Sequence, residues 1–357
     1  MKQWPALPEL EGRLQSLKAE HRLRSEPRVT AAHSYSSNDY LGLSDGLGAN
    51  ASRLLGAERT ALDAFESELS DWIGGVPTVL SSGYQANMAA IGALVSKDDL
   101  VLSDAENHAS LVDAIRLSRA QVAIFRHLDL DDALLAASRA THGQRVWCVM
   151  ESYFSMSAMQ PALAEWLPAL KARDIRCMLD ESHAIGIYGP EGRGLSYASG
   201  LLPEVMTFGL GKAFAASAGV ICGAAPMRQM LLNAARPLLF STAPSPILME
   251  RLRGRLHSIR ASDEMRARLQ RNVNIVRKGL QAQGYWVYGV GPIVPVVIGD
   301  EELALAMSAA LLRLGLDVPA IRYPTVAKGK AILRVNVRAN HRDEDLQMLL
   351  HALRTVG

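Results

Sequence analysis

The chain has 357 residues, 49% hydrophobic and 21% charged, with a formal net charge of +2 from 38 basic and 36 acidic side chains. That length suits two domains rather than one small core, and a near-neutral chain without a dense Lys/Arg run is not expected to bind nucleic acid. No apolar run reaches the roughly 18 residues that cross a bilayer, Met1–Leu10 lacks a signal-peptide pattern, and Cys148, Cys177 and Cys222 stand singly in apolar runs, so a cytoplasmic protein with no membrane attachment is expected.

In chain order, the first expected element is a charged helical stretch, Leu10–His21, ending near Pro27. It belongs to an N-terminal arm, residues 1–35, that docks or contacts a dimer partner. Residues Thr60–Trp72 place Leu62, Phe65, Leu69 and Trp72 at helical spacing. Seven short apolar runs follow: Thr78–Leu80, Leu100–Leu102, Val122–Phe125, Val146–Met150, Cys177–Leu179, Val205–Phe208 and Val220–Cys222. Helical patterns such as Tyr84–Val95 and Ala162–Ala172 lie between them. This alternation predicts an α/β fold with a largely parallel sheet covered on both faces, over residues 36–256. From 257 to 357 the texture changes to a smaller α+β domain. It reads as a long charged helix Ser258–Gln283, a strand Trp286–Ile298, a helix Glu301–Leu314, a strand Ala331–Val337 and a last helix from Asp343.

The chemistry is concentrated in two segments. In Met178-Leu179-Asp180-Glu181-Ser182-His183 an apolar run leads into an acid at the C-terminal end of a strand, where α/β sheets place ligands. Taken alone, such an acid more often caps a helix. About thirty residues on, Thr207-Phe208-Gly209-Leu210-Gly211-Lys212-Ala213-Phe214-Ala215 carries one lysine among small and apolar residues. A lone lysine is usually a solvated surface group, but an apolar setting depresses an amine's pKa and makes it nucleophilic. The pair Gly209-Leu210-Gly211 is a poor dinucleotide loop, being far from the first strand–helix turn and lacking the third glycine. A carboxylate and a lysine on separate strand ends are what pyridoxal 5′-phosphate requires. The acid keeps the pyridine nitrogen protonated, and the amine holds the cofactor and moves protons. Ser81-Ser82-Gly83-Tyr84-Gln85-Ala86-Asn87 is a small-residue turn opening a helix, fit for a phosphate. Glu106-Asn107-His108-Ala109-Ser110 follows a strand and offers an imidazole to a cofactor ring. No metal site is expected.

Taken in order, these segments resemble the α-oxoamine synthases, which are PLP-dependent transferases of fold type I. The resemblance runs from Ser36-Ser37-Asn38-Asp39-Tyr40-Leu41-Gly42-Leu43 through Ser52-Arg53-Leu54-Leu55-Gly56, Phe154-Ser155-Met156 and Phe240-Ser241-Thr242 to Leu333-Arg334-Val335. It implies a mostly parallel seven-stranded sheet in the large domain, and the decarboxylative condensation of an amino acid with an acyl thioester, carried by CoA or acyl carrier protein. It also implies Lys212 as the Schiff-base lysine, Asp180 as the pyridinium partner, His108 stacked on the ring, and His183 and Ser155 at the phenolic oxygen. His183 would serve the developing oxygen as well. Gly83 and Tyr84 would offer N–H groups to the phosphate, joined by Ser241 and Thr242 from a neighbouring subunit, hence a homodimer with shared sites. Arg334 would clamp the substrate carboxylate and Asn38 would contact substrate. Within the family the resemblance is strongest to the branch serving biotin synthesis, with the long-chain aminoketone branch close behind. A catalytically silent family member acting as a regulatory subunit, or an aminotransferase, are the alternatives.

The chain departs from the family pattern mainly on the acyl side. Gly209 stands where the family has a phosphate-binding threonine, Leu62 where it has a histidine, and Ser157-Ala158-Met159 where it has Asp-Gly-Asp. Leu128 and Tyr323 replace an asparagine and a proline. A segment of several helical turns is missing between Gly42-Leu43 and Gly48. These changes predict a preference for a plain aliphatic chain over one ending in a carboxylate, unless Arg13, Arg22 or Arg24 supplies a partner.

Overall fold

Residues 3–26, 40–41, 53–54 and 59–357 are described in a computed structural model. The seven apolar runs each become a strand: β1 (Thr78–Leu80), β2 (Leu100–Asp104), β3 (Gln121–Phe125), β4 (Val146–Glu151), β5 (Ile175–Asp180), β6 (Val205–Gly209) and β7 (Gly219–Gly223). Apart from β3, these strands are buried nearly residue for residue, and helices on both faces cover their side chains. They form one sheet in the order β1-β7-β6-β5-β4-β2-β3. Strand β7 runs antiparallel to both of its neighbours and the remaining pairs are parallel. Strand β3 closes one edge, and there Val122 and Ile124 face outward.

Register decides what the sheet presents at its C-terminal edge. Glu151 of β4 pairs with Asp180 of β5, and Asp180 with Thr207 of β6. The helix Gly83–Leu94 packs on β6 and β7. Its buried face is small, with Ala86, Ala89, Ala90 and Ala93, so its backbone lies close to the sheet. A Cβ on Gly83 would sit 2.8 Å from the Cα of Gly209, a separation that only glycine permits.

The chain folds as two compact units: Met1–Ser152 with Pro161–Ala261, and Tyr153–Gln160 with Ser262–Gly357. The first contains the seven-stranded sheet. Its N-terminal helix Pro8–Ala19 buries Leu10 and Leu14, which join Leu7 in the core that includes Met227 and Leu231. In the second, β8 (Ile293–Gly299), β9 (Ala320–Ile321) and β10 (Ala331–Asn336) form an antiparallel sheet in the order β8-β10-β9. Helices Asp263–Ala282, Glu301–Arg313 and Asp343–Val356 accompany it around a core of Val273, Val276, Val294, Leu311 and Leu353. The segment 153–160 is tied to this unit by Tyr153, whose Oη donates to the Val290 carbonyl at 2.7 Å.

Two expected elements are corrected. The single helix Ser258–Gln283 is in fact two, Pro246–Arg260 and Asp263–Ala282. Ser262 takes the N-cap position, and Asp263 and Glu264 occupy the new first turn, where acidic residues favour a fresh helix start. The strand Trp286–Ile298 shrinks to Ile293–Gly299, preceded by one isolated bridge at Val287. Gly289 and Gly291 adopt positive φ and Pro292 lacks an N–H, which ends regular pairing there.

Candidate active site

Asp180 is the last residue of β5, carried to the sheet edge by the buried run Cys177, Met178 and Leu179. It is itself buried. Its Oδ1 accepts from the Ser182 N–H at 2.8 Å and its Oδ2 from Asn87 Nδ2 at 2.7 Å. The next residue does different work. Glu181 accepts from Ser152 Oγ and from the N–H groups of Leu195 and Ser196 at 2.8–2.9 Å. It thereby fastens the glycine-rich turn after β5 to the sheet.

Lys212 lies on the loop between β6 and β7. The apolar setting read from its sequence neighbours is not what surrounds it. Leu210 and Phe214 turn into the core, while Lys212 is exposed and faces polar groups. It shares a cavity of about 170 Å³ with Asp180, His108, His183, Glu151 and Gly83, all from the first unit. His108 is the N-cap of the helix Ala109–Ser118. Its backbone N–H donates to Glu151 Oε1 at 2.8 Å. The Glu151 carboxyl, buried at the end of β4, is pushed well above the usual range by burial and then by Asp180, with the His108 N–H and Lys212 pulling the other way.

The phosphate end of the cavity is the start of the helix Gly83–Leu94. Ser82 caps it, its Oγ accepting from the Gln85 N–H at 3.1 Å and its carbonyl from Ala86. The N–H groups of Gly83 and Tyr84, also in the first turn, have no intrahelical partner and lie at the cavity wall. The Tyr84 hydroxyl donates to Asp113. Gly209, the departure noted in the sequence, donates its N–H to Ser182 Oγ at 2.8 Å. Its backbone thus binds within the cavity wall where the family pattern has a side chain.

The remaining expected site residues do not line this cavity. Ser155 and Arg334 belong to the second unit, where Arg334 Nε donates to the Ser155 carbonyl at 2.9 Å and Nη1 to Asn336 at 3.0 Å. Ser241 and Thr242 line a separate small depression beside Arg53. Asn38 falls outside the described residues, as do the run Ser36–Asp39, Gly42 and Leu43, the shortened stretch up to Ser52, and Leu55-Gly56. Of the arm arginines, Arg13 reaches the Ala93 carbonyl, Arg22 pairs with Glu20, and Arg24 bonds Asn233; none lines the cavity. Sequence reasoning missed Glu151, Ser182, Thr207 and the role of Asn87. Glu151 had a legible signal, because it ends an apolar strand run as Asp180 does.

These groups fit pyridoxal phosphate on their own terms. A helix N-terminus whose first two N–H groups have no intrahelical partner accepts an anion, a carboxylate with both oxygens held in place suits a ring nitrogen, and a primary amine faces the same space. Among the described residues, no cluster of His, Cys, Asp and Glu is arranged to hold a metal, and no helix is long and apolar enough to cross a membrane.

Fold and site together define a pyridoxal-phosphate-dependent enzyme of fold type I. The chain belongs to the class I and II aminotransferase family, whose model matches residues 30–353, and within it to the α-oxoamine synthases. It is 36% identical to the 8-amino-7-oxononanoate synthase of Serratia proteamaculans over 337 residues, covering 94% of this chain and 86% of the relative. Among solved structures it is similar to a substituted serine palmitoyltransferase from S. paucimobilis with bound PLP–myriocin aldimine, at a TM-score of 0.84 and 25% identity, over 98% and 96% of the two chains. It is also similar to an 8-amino-7-oxononanoate synthase from Francisella tularensis, at a TM-score of 0.72 and 26% identity, over 84% and 87%.

Proposed function

We propose that the chain is a C-acyltransferase that condenses an amino acid with an acyl thioester, in the manner of the 8-amino-7-oxononanoate synthases. A bond forms between the amino acid's Cα and the thioester carbonyl carbon. The thiol leaves, the former carboxyl group departs as CO₂, and an α-aminoketone results. The observation that carries this reading is the convergence of Lys212, Asp180, His108 and His183 on one cavity at the sheet's C-terminal edge.

When bound, the cofactor supplies an aldehyde for amines and an electron sink for charge developing at Cα. The chain's residues do the rest. Asp180 holds a proton at the pyridine nitrogen, and the first turn at Gly83 and Tyr84 takes the phosphate. The Lys212 amine removes and returns the proton at Cα. His108 covers one face of the ring, and the His183 imidazole stabilises oxygen charge. On the resemblance, Arg334 takes the substrate carboxylate, Ser155 the phenolic oxygen, and Asn38 a further substrate contact. Ser241 and Thr242 are assigned to the neighbouring subunit's phosphate in a homodimer. Their place in a depression apart from Lys212 supports that assignment. The three free, buried cysteines support a cytoplasmic setting.

The test is an amino-acid by acyl-CoA matrix in which thiol and CO₂ release are measured together. Equal release of both is the expected outcome, with acyl chains of plain and carboxylate-ended type compared directly. Amino-group transfer to an oxo acid without thiol release would replace this reading with an aminotransferase.

A further inference from the structure

Asp180 and His108 come from different elements, yet one buried side chain touches the carboxylate and reaches the imidazole through a single hydroxyl. Asn87, on the helix Gly83–Leu94, is 2% exposed. Its Nδ2 donates to Asp180 Oδ2 at 2.7 Å and to Ser110 Oγ at 2.8 Å. Its Oδ1 accepts from Thr207 Oγ1 at 2.6 Å. The amide therefore uses both hydrogens and its carbonyl. The flipped amide would set Oδ1 against the Asp180 carboxylate, acceptor against acceptor, and would take from the buried Thr207 hydroxyl the acceptor of its hydrogen.

The direction of the bonds then propagates. Because Asn87 Nδ2 can only donate, Ser110 Oγ is the acceptor and has its own hydrogen left to give. The atom within reach is His108 Nδ1, 2.8 Å away. The Ser110 backbone N–H also points at Nδ1, at 3.2 Å. A ring nitrogen receiving two donors carries no proton, so the imidazole's hydrogen is on Nε2. We infer that Asn87 is a positioning residue that fixes the Asp180 carboxylate and, through Ser110, holds His108 as the neutral Nε2–H tautomer, with Thr207 locking the amide. The inference rests on the cofactor site proposed above, and it adds that the ring-nitrogen partner and the stacking imidazole are set by one shared amide.

The measurement is made on PLP-loaded protein labelled with ¹⁵N-histidine. The chain has nine histidines, and His108 is assigned by its loss in His108→Asn. In the wild type, Nδ1 of His108 is expected at an unprotonated shift and Nε2 at a protonated one. Asn87→Ala should bring a substantial Nδ1–H population and move the cofactor's absorption band, because the carboxylate and the hydroxyl both lose their donor. Ser110→Ala should disturb the His108 resonances while leaving the band nearer the wild type. Thr207→Ser should behave as wild type and Thr207→Val should not. A wild-type His108 protonated on Nδ1 overturns the inference without recourse to any variant, as does an Asn87→Ala protein with unchanged tautomer and band. No thioester is present in this experiment, so its failure is distinct from a failure of the acyl-transfer matrix.

Discussion

Replacing Gly83 with alanine would set a Cβ 2.8 Å from the Cα of Gly209 and 3.2 Å from its nitrogen. Both are backbone atoms of β6, so no side chain can swing aside. The first turn of the helix Gly83–Leu94 must move away from the strand by roughly half an ångström or more, taking with it the N–H groups assigned to the phosphate. Forced overpacking of this kind costs about 1–3 kcal/mol. If that cost falls on the cofactor-bound state, PLP affinity drops by roughly 5- to 150-fold, since 1.4 kcal/mol is tenfold. The reciprocal change at the same junction is the control. A Cβ on Gly209 would lie 3.4 Å from Gly83 Cα and 3.5 Å from Ser182 Oγ, close to ordinary contact, so Gly209→Ala is expected within about threefold of wild type. The assay is a PLP titration of cofactor-free protein followed by fluorescence, with thermal melts of the same samples to separate folding from binding. Equal Kd for Gly83→Ala and wild type would refute the close-approach argument. A large loss for Gly209→Ala would refute the contrast between the two.

Borohydride reduction of the loaded protein should fix a pyridoxyl group on Lys212, read by peptide mapping, and an adduct on another lysine would remove the assignment. Asp180→Asn should slow deuterium exchange at the amino acid's Cα by several powers of ten, each tenfold being about 1.4 kcal/mol of barrier; near-wild-type exchange would leave Asp180 a purely structural role. Burial pushes the Glu26 carboxyl up, but Arg59, Arg53 and Arg228 together pull it down to about 2, from an ordinary 4.5. A depressed carboxyl stabilises the fold above its unfolded value and loses that contribution as pH falls from 4.5 through 2. Glu26→Gln should therefore cost roughly 2–3 kcal/mol near neutral pH, allowing for solvent screening, and flatten the acid limb, as measured by urea midpoints between pH 7 and pH 3.

The seven strands were legible because each is a short apolar run, buried on both faces in all but the edge strand β3, and such runs need no long-range information to be read. What the runs did not reveal is their last residue. Val146–Met150 extends to Glu151 and Cys177–Leu179 extends to Asp180, so the groups that make the cavity sit just beyond the apolar signal. Asp180 was found because the chemistry called for an acid there. Glu151, at the same height on the adjacent strand, was passed over. Lys212 lines the cavity, but not in the apolar setting read from its sequence neighbours. Leu210 and Phe214 are apolar because the core needs them, and their burial says nothing of where Lys212 points. The break at Ala261-Ser262 was hidden by continuous helical composition on both sides, although Ser-Asp-Glu is a start signal that a stricter reading would have used.

The Asn87 cluster marks where sequence reading stops for a physical reason. The partners of Asn87, namely Ser110, Asp180 and Thr207, lie 23 to 120 positions from it along the chain, and no local pattern pairs any of them with it. Thr207 in particular occupies a buried strand position where an apolar residue would serve packing better, and its hydroxyl is accommodated only because Asn87 Oδ1 is 2.6 Å away. A buried polar residue in an otherwise aliphatic strand is costly unless partnered. Its presence in β6 was therefore a visible anomaly, but the identity of the partner depends on how closely the helix Gly83–Leu94 approaches the sheet. That distance is set by Gly83 and by the alanines of the helix face. The residues that let the helix approach thus also bring the amide to the carboxylate, which ties the packing of this layer directly to the chemistry at its edge.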